Sequence, residues 1–133
     1  VWTGSLWLTV EEAHAQPAQK ESFLKAGVDD TVRTKAWTGK PARVLRNHWT
    51  DSWDDPDTLE PLPMPLHGLV TADAMRRTET YAGAGKTQDV AMNICGQVIG
   101  QINQVESCKS VVYRLIDEYL AALEQVTSLS AIE

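Results

Sequence analysis

The longest regular hydrophobic pattern lies near the C-terminal end. Val111, Val112, Leu115, Ile116, Tyr119, Leu120 and Leu123 recur at the spacing of one face of an α-helix. Ser107 precedes the run, and together they predict a helix over 107–124 with a broad apolar stripe that must bury against something. Val90, Ile94, Val98 and Ile102 fall at four-residue steps and predict a helix over 87–104. Gly96 and Gly100 on its thin face would admit another backbone. A helix over 71–82 is predicted to start at a Thr71 cap, with Asp73 in its first turn, and to end at Gly83-Ala84-Gly85. Pro17 suits the first turn of a helix running to about Ala26, which buries Phe23 and Leu24 and ends on a left-handed Gly27.

Strand-like alternation is sparser. Val1-Trp2-Thr3-Gly4-Ser5-Leu6-Trp7-Leu8-Thr9 reads as a buried strand that runs through Gly-Ser toward a helix. Thr9 with Glu12 makes a capping box for a short helix through Ala13 and His14. Residues 30–38 alternate and are rich in β-branched side chains. They predict a short edge strand with Arg33 and Lys35 on one face. Gly39-Lys40-Pro41 is a turn, and Pro41 opens a helical turn presenting Ala42, Val44 and Leu45 inward. From Asp51 to Pro65 the chain is dense in Asp and Pro. This stretch predicts an ordered loop held by Leu59, Leu62, Met64 and Leu66. The expectation is a single unit over 1–133, with no internal boundary at the loop over 51–66.

Composition narrows the function classes. At 133 residues and 43% hydrophobic, the chain is long enough for one core. A net charge of −6 argues against nucleic acid and acidic membranes as partners. Arg33, Lys35, Lys40, Arg43 and Arg46 are followed at once by Asp51, Asp54, Asp55 and Asp57, which reads as a solvated face with local charge balance. No apolar run approaches a membrane span, and a cytoplasmic location is expected. Cys95 and Cys108 read as reduced thiols in that compartment, with a disulfide between them left open. The first residue is Val, and a strand at residue one reads as a piece of a longer protein.

Candidate chemistry is limited. A strand running through Gly4-Ser5 into a helix is one way to hold a phosphate, with N–H groups and a hydroxyl aimed at the anion. By itself the stretch reads equally as an ordinary strand end. Ala84-Gly85-Lys86-Thr87 is not a P-loop, because the required earlier glycine is Thr80 and no strand precedes it. His14, His48 and His67 have no metal-like spacing among themselves or with the cysteines, so no metal is expected. Ser5 lacks a nucleophile elbow and a paired histidine. The acidic residues after position 50 do not read as a catalytic carboxylate pair.

Longer stretches resemble a known family. Val1-Trp2-Thr3-Gly4-Ser5-Leu6-Trp7-Leu8-Thr9-Val10-Glu11-Glu12 is similar to the last barrel strand of the nitronate monooxygenase (2-nitropropane dioxygenase) family. The likeness continues through Lys20 and Asp30-Thr31-Val32-Arg33-Thr34. Its most specific piece is Thr38-Gly39-Lys40-Pro41-Ala42-Arg43-Val44-Leu45-Arg46-Asn47. Pro63-Met64-Pro65-Leu66 and the Gly96-Gln97 pair follow in order. The resemblance implies an α/β fold: the C-terminal fragment of a (β/α)8 TIM barrel, containing the last barrel strand, one short extra strand, and mostly helices thereafter. It implies an oxidoreductase with FMN as cofactor and a nitronate or a related NAD(P)H- or acyl-linked small molecule as substrate. The family's FMN-contacting strand matches Trp2, Thr3, Gly4 and Ser5, with Gly4 and Ser5 at the phosphate. Gly4 is identical and Ser5 keeps a hydroxyl, while Trp2 and Thr3 depart from the family's Gln and Met. His67 falls in a region on the substrate side of the flavin and is the one candidate catalytic residue.

A fragment of this size supplies only part of a flavin site. Alone it is expected to be inactive and to hold FMN weakly. Its 107–124 helix is expected to seek either the rest of the barrel or a second copy of itself. The alternative is a small helical binding or assembly module without enzymatic activity. An independent module, however, has no need of the Thr-Gly-Lys-Pro-Ala-Arg run or of a start in mid-strand.

Overall fold

A computed structural model describes residues 3–130. Its element order is a 3-10 turn (Gly4–Trp7), α1 (Pro17–Lys25), β1 (Thr31–Thr34), β2 (Ala42–Leu45), α2 (His48–Asp54), α3 (Leu66–Thr80), two 3-10 turns (Thr87–Val90 and Gln97–Gln101) and α4 (Cys108–Ser130). β1 and β2 pair antiparallel, with Thr31 opposite Leu45 and Thr34 opposite Ala42. One core cluster gathers Phe23, Leu45, Cys95, Ile99 and Ile102, with Leu6, Leu8 and Leu24 packed against it.

The specific run at 38–47 is a structural unit. Gly39 has φ +79°, and a Cβ there would collide with the Leu62 carbonyl and lie 2.8 Å from Met64 N, so only glycine fits the turn. Residues 42–45 form β2 rather than the expected helical turn. Arg43 Nη1 donates to Thr31 Oγ1 across the pair at 2.9 Å. On the other side of β2, Leu45 N–H donates to the Asn93 carbonyl and Cys95 N–H to the Arg43 carbonyl. The run ends on Asn47, whose side chain accepts from Thr50 N–H at 3.1 Å while its own N–H donates to Thr50 Oγ1 at 2.9 Å. This reciprocal cap starts α2 ahead of the stretch expected to be loop, and the helix runs into that stretch over its last four residues. The same Asn47 donates from Nδ2 to the Ala91 carbonyl at 2.7 Å.

Several expectations are corrected. Residues 4–7 form a 3-10 turn, not a strand; Val1 and Trp2 lie outside the described residues. A strand needs a neighbour for its N–H and C=O groups. Here Leu6 N–H bonds to the Thr3 carbonyl and Leu8 N–H to the Ser5 carbonyl. Thr9 caps no helix. Glu12 instead accepts the Cys108 N–H at 2.9 Å and caps α4, while Lys20 Nζ ties the bend down through the Val10 carbonyl at 2.6 Å.

The 87–104 segment is not one helix. Gly96 and Gly100 each disfavour helix by about 1 kcal/mol, and β2 offers bonds that 93–95 accept instead. Gly100 does admit another backbone, since a Cβ would fall 2.6 Å from Gly27 C. Gly27 has no positive φ; its N–H donates to Asp30 Oδ2 at 2.7 Å. Thr71 lies inside α3, where its hydroxyl donates to the Trp37 carbonyl. Leu59, Leu62, Met64 and Leu66 do not anchor the loop on this chain, because all four are exposed.

Helices α1 and α4 follow the sequence closely. Pro17 opens α1, and Ser107 Oγ accepts from Ser110 N–H at 3.1 Å to start α4. Only Val111 of α4 is buried.

Candidate functional site

The two ends of the core segment meet at one cavity of about 590 Å³. One wall is Thr3, Gly4, Ser5 and Leu8; the other is Ile94, Cys95, Gly96, Gln97 and Val98. They are joined by a bond from Gly96 N–H to Ser5 Oγ at 2.7 Å. A hydroxyl has one proton to give and two lone pairs to accept with. Ser5 Oγ accepts from inside the protein, and its own proton has no acceptor among the described residues. Thr3 is arranged in the same way, its Oγ1 accepting from Trp7 Nε1 at 3.3 Å. Two hydroxyl donors therefore stand beside a glycine at one rim.

Among the described residues, the lining carries no Lys, Arg, Asp or Glu. Its titrating side chain is Cys95, whose thiol is pushed up to about 11 by burial, with Arg43 opposing. At neutral pH the site is uncharged, and its polarity comes from hydroxyls, the Gln97 amide and backbone groups.

Of the residues singled out in the sequence, Thr3, Gly4 and Ser5 lie together in this cavity; Trp2 is outside the described residues. His67 lies elsewhere and is 1% exposed. Its Nε2 donates to the Ala36 carbonyl at 3.0 Å, and its ring stands edge-on to Trp53 at 4.5 Å. Trp49 stacks on Trp37 at 4.5 Å and donates from Nε1 to the same Ala36 carbonyl. His67 thus serves as a packed, hydrogen-bonded member of an aromatic cluster.

His14 lines a separate cleft of about 240 Å³ between α1 and α3, and His48 another of about 400 Å³ beside Arg46 and Asp51. Among the described residues, no group of three or more His, Cys, Asp or Glu side chains could hold a metal ion. Cys95 and Cys108 are both free thiols. No described helix is long and apolar enough to cross a membrane.

The second wall, Cys95-Gly96-Gln97, is the part of the site that residue-by-residue reading missed. Its signal was the Gly96-Gln97 pair, which marked likeness without showing that the chain folds it back onto Ser5.

Comparison with known proteins gives this arrangement a context. The sequence profile of nitronate monooxygenase matches residues 1–118. The Mycobacterium tuberculosis protein Rv1533, provisionally named a monooxygenase, is 44% identical over 131 residues, covering 97% of this chain and 35% of that protein. A Bacillus subtilis protein named a probable nitronate monooxygenase is 30% identical over 118 residues, covering 89% of this chain and 33% of its own. The chain thus spans about a third of the length of these relatives. Among solved structures, FabK from Thermotoga maritima matches with TM-score 0.65 at 21% identity, over 91% of this chain and 37% of FabK. A point mutant of FabK matches with TM-score 0.62 at 22% identity, over 93% of this chain and 34% of the mutant. Those structures share the α/β fold of this segment. By its sequence over nearly its whole length, the chain belongs to the nitronate monooxygenase family.

Proposed function

We propose that the chain is the C-terminal part of an FMN-dependent (β/α)8-barrel oxidoreductase, and that it supplies one wall of the FMN phosphate site together with the closing helices. The observation that carries this reading is the Gly96 N–H to Ser5 Oγ bond. It fixes Ser5 on the wall of a cavity, with its hydroxyl proton uncommitted among the described residues, at the position where the family resemblance puts the phosphate. The residues fit such a group in part. Hydroxyl and backbone donors suit phosphate oxygens, whereas the described lining residues include no cation, so charge compensation must come from other groups.

When bound, the flavin supplies two-electron redox chemistry linking a nitronate, or a related NAD(P)H- or acyl-linked substrate, to oxygen or another acceptor. Thr3 and Ser5 would orient the phosphate, and the buried neutral Cys95 would keep the cavity floor free of charge. His67, locked against Trp53 and Ala36, enters this reading as a packing residue. One wall cannot enclose a flavin, so the 133-residue chain alone is expected to be inactive.

Ser5→Ala in the full-length protein should weaken FMN by about tenfold, the worth of one hydrogen bond to a charged group. Riboflavin, which lacks the phosphate, should bind the variant and the parent equally. Titration of apoprotein with both flavins, followed by fluorescence quenching, gives the two constants. An equal loss for both, or no loss for FMN, removes the phosphate contact.

A further inference from the structure

Among the described residues that line the cavity beside Ser5, Gln97 alone carries side-chain N–H groups. It stands directly after Gly96, whose N–H donates to Ser5 Oγ at 2.7 Å, so its Cα lies about 3.8 Å from that of Gly96. The backbone around it is held by burial on both sides, with Cys95 5% and Ile99 0% exposed. Gln97 itself is exposed, and its amide has no hydrogen-bond partner among the described residues. The residue is therefore fixed in position at the rim that Ser5 shares, while its polar end is uncommitted.

The ligand chemistry selects what that end would do. Phosphate oxygens are strong acceptors and carry negative charge. The hydroxyls of Thr3 and Ser5 bring one proton each, and the described lining residues include no cation. A primary amide brings two N–H groups and no charge. Glutamate has nearly the same shape but exchanges both donors for a charged acceptor, so it probes this contact without changing the size of the side chain.

We infer that Gln97 is a phosphate-contacting residue, its amide nitrogen donating to a phosphate oxygen of FMN from the wall opposite Ser5. This rests on the phosphate reading of the cavity given above. The test titrates the full-length apoprotein with FMN and with riboflavin, followed by fluorescence quenching. Gln97→Ala should weaken FMN about tenfold. Gln97→Glu should weaken it about a hundredfold through like-charge repulsion, and part of that loss should return as salt is raised. Riboflavin should bind the parent and both variants equally, which also reports an intact fold. Undiminished FMN binding in either variant, or an equal loss of FMN and riboflavin, would overturn the assignment. Ser5→Ala distinguishes the two ways of failing. If it loses FMN while the Gln97 variants do not, only the role of Gln97 falls. If the parent binds FMN and riboflavin equally, the phosphate site itself falls, and Gln97 with it.

Discussion

Burial pushes the Cys95 thiol from an ordinary value of 9.0 up to about 11, with Arg43 opposing. A proton held more tightly in the folded state stabilises it fully below pH 9. That contribution is lost as pH rises from 9 through 11. The total is roughly 2–3 kcal/mol. Urea midpoints of the full-length protein taken between pH 8 and 11 should therefore fall, and Cys95→Ser should flatten that fall. An identical slope in the variant would place the alkaline loss on another group. The burial of Cys95 was legible from its residue type and the helical pattern it falls in. The Ser5–Gly96 bond was not, because it joins residues 91 positions apart and nothing local announces it. Trp37 Nε1 is buried with no partner among the described residues, and no sequence pattern marked it either.

Elements with their own punctuation were legible: Pro17 opening α1, Gly39 in its turn, Ser107 starting α4. Elements decided by a distant partner were not. β2 reads as a helical turn when Val44 and Leu45 are considered alone, and it is a strand because β1 lies on one edge and 93–95 on the other. The same pairing draws 93–95 out of the helix that four-residue periodicity predicted. The cap at Asn47 went unread, because the Asp and Pro that follow predict a loop. Asn47 joins three elements by capping α2, terminating β2 and holding Ala91. Asn47→Ala should lower stability by about 2 kcal/mol, the sum of a lost cap and a lost internal bond, as read from denaturant midpoints of the full-length protein. A change under half that size would mean that Thr50 alone holds the start of α2.

At the scale of the molecule, family membership was readable because motifs keep their order even where their elements are misassigned. Thr38 to Asn47 identifies the family whether it is taken for a helical turn or for a strand. What the sequence could not convey is how much apolar surface this segment leaves open. Leu59, Met64 and Leu69 are 85%, 61% and 73% exposed, alongside the α4 stripe. Monomeric proteins rarely leave large contiguous apolar patches uncovered, which accords with a chain spanning a third of its relatives' length. The central claim is that this segment belongs to a flavin oxidoreductase. Its most direct test is the visible absorption spectrum of the purified full-length protein, with the pigment identified after denaturation. The account predicts flavin bands and release of FMN on a species far heavier than 14.7 kDa. A colourless full-length protein that takes up no added FMN would contradict it.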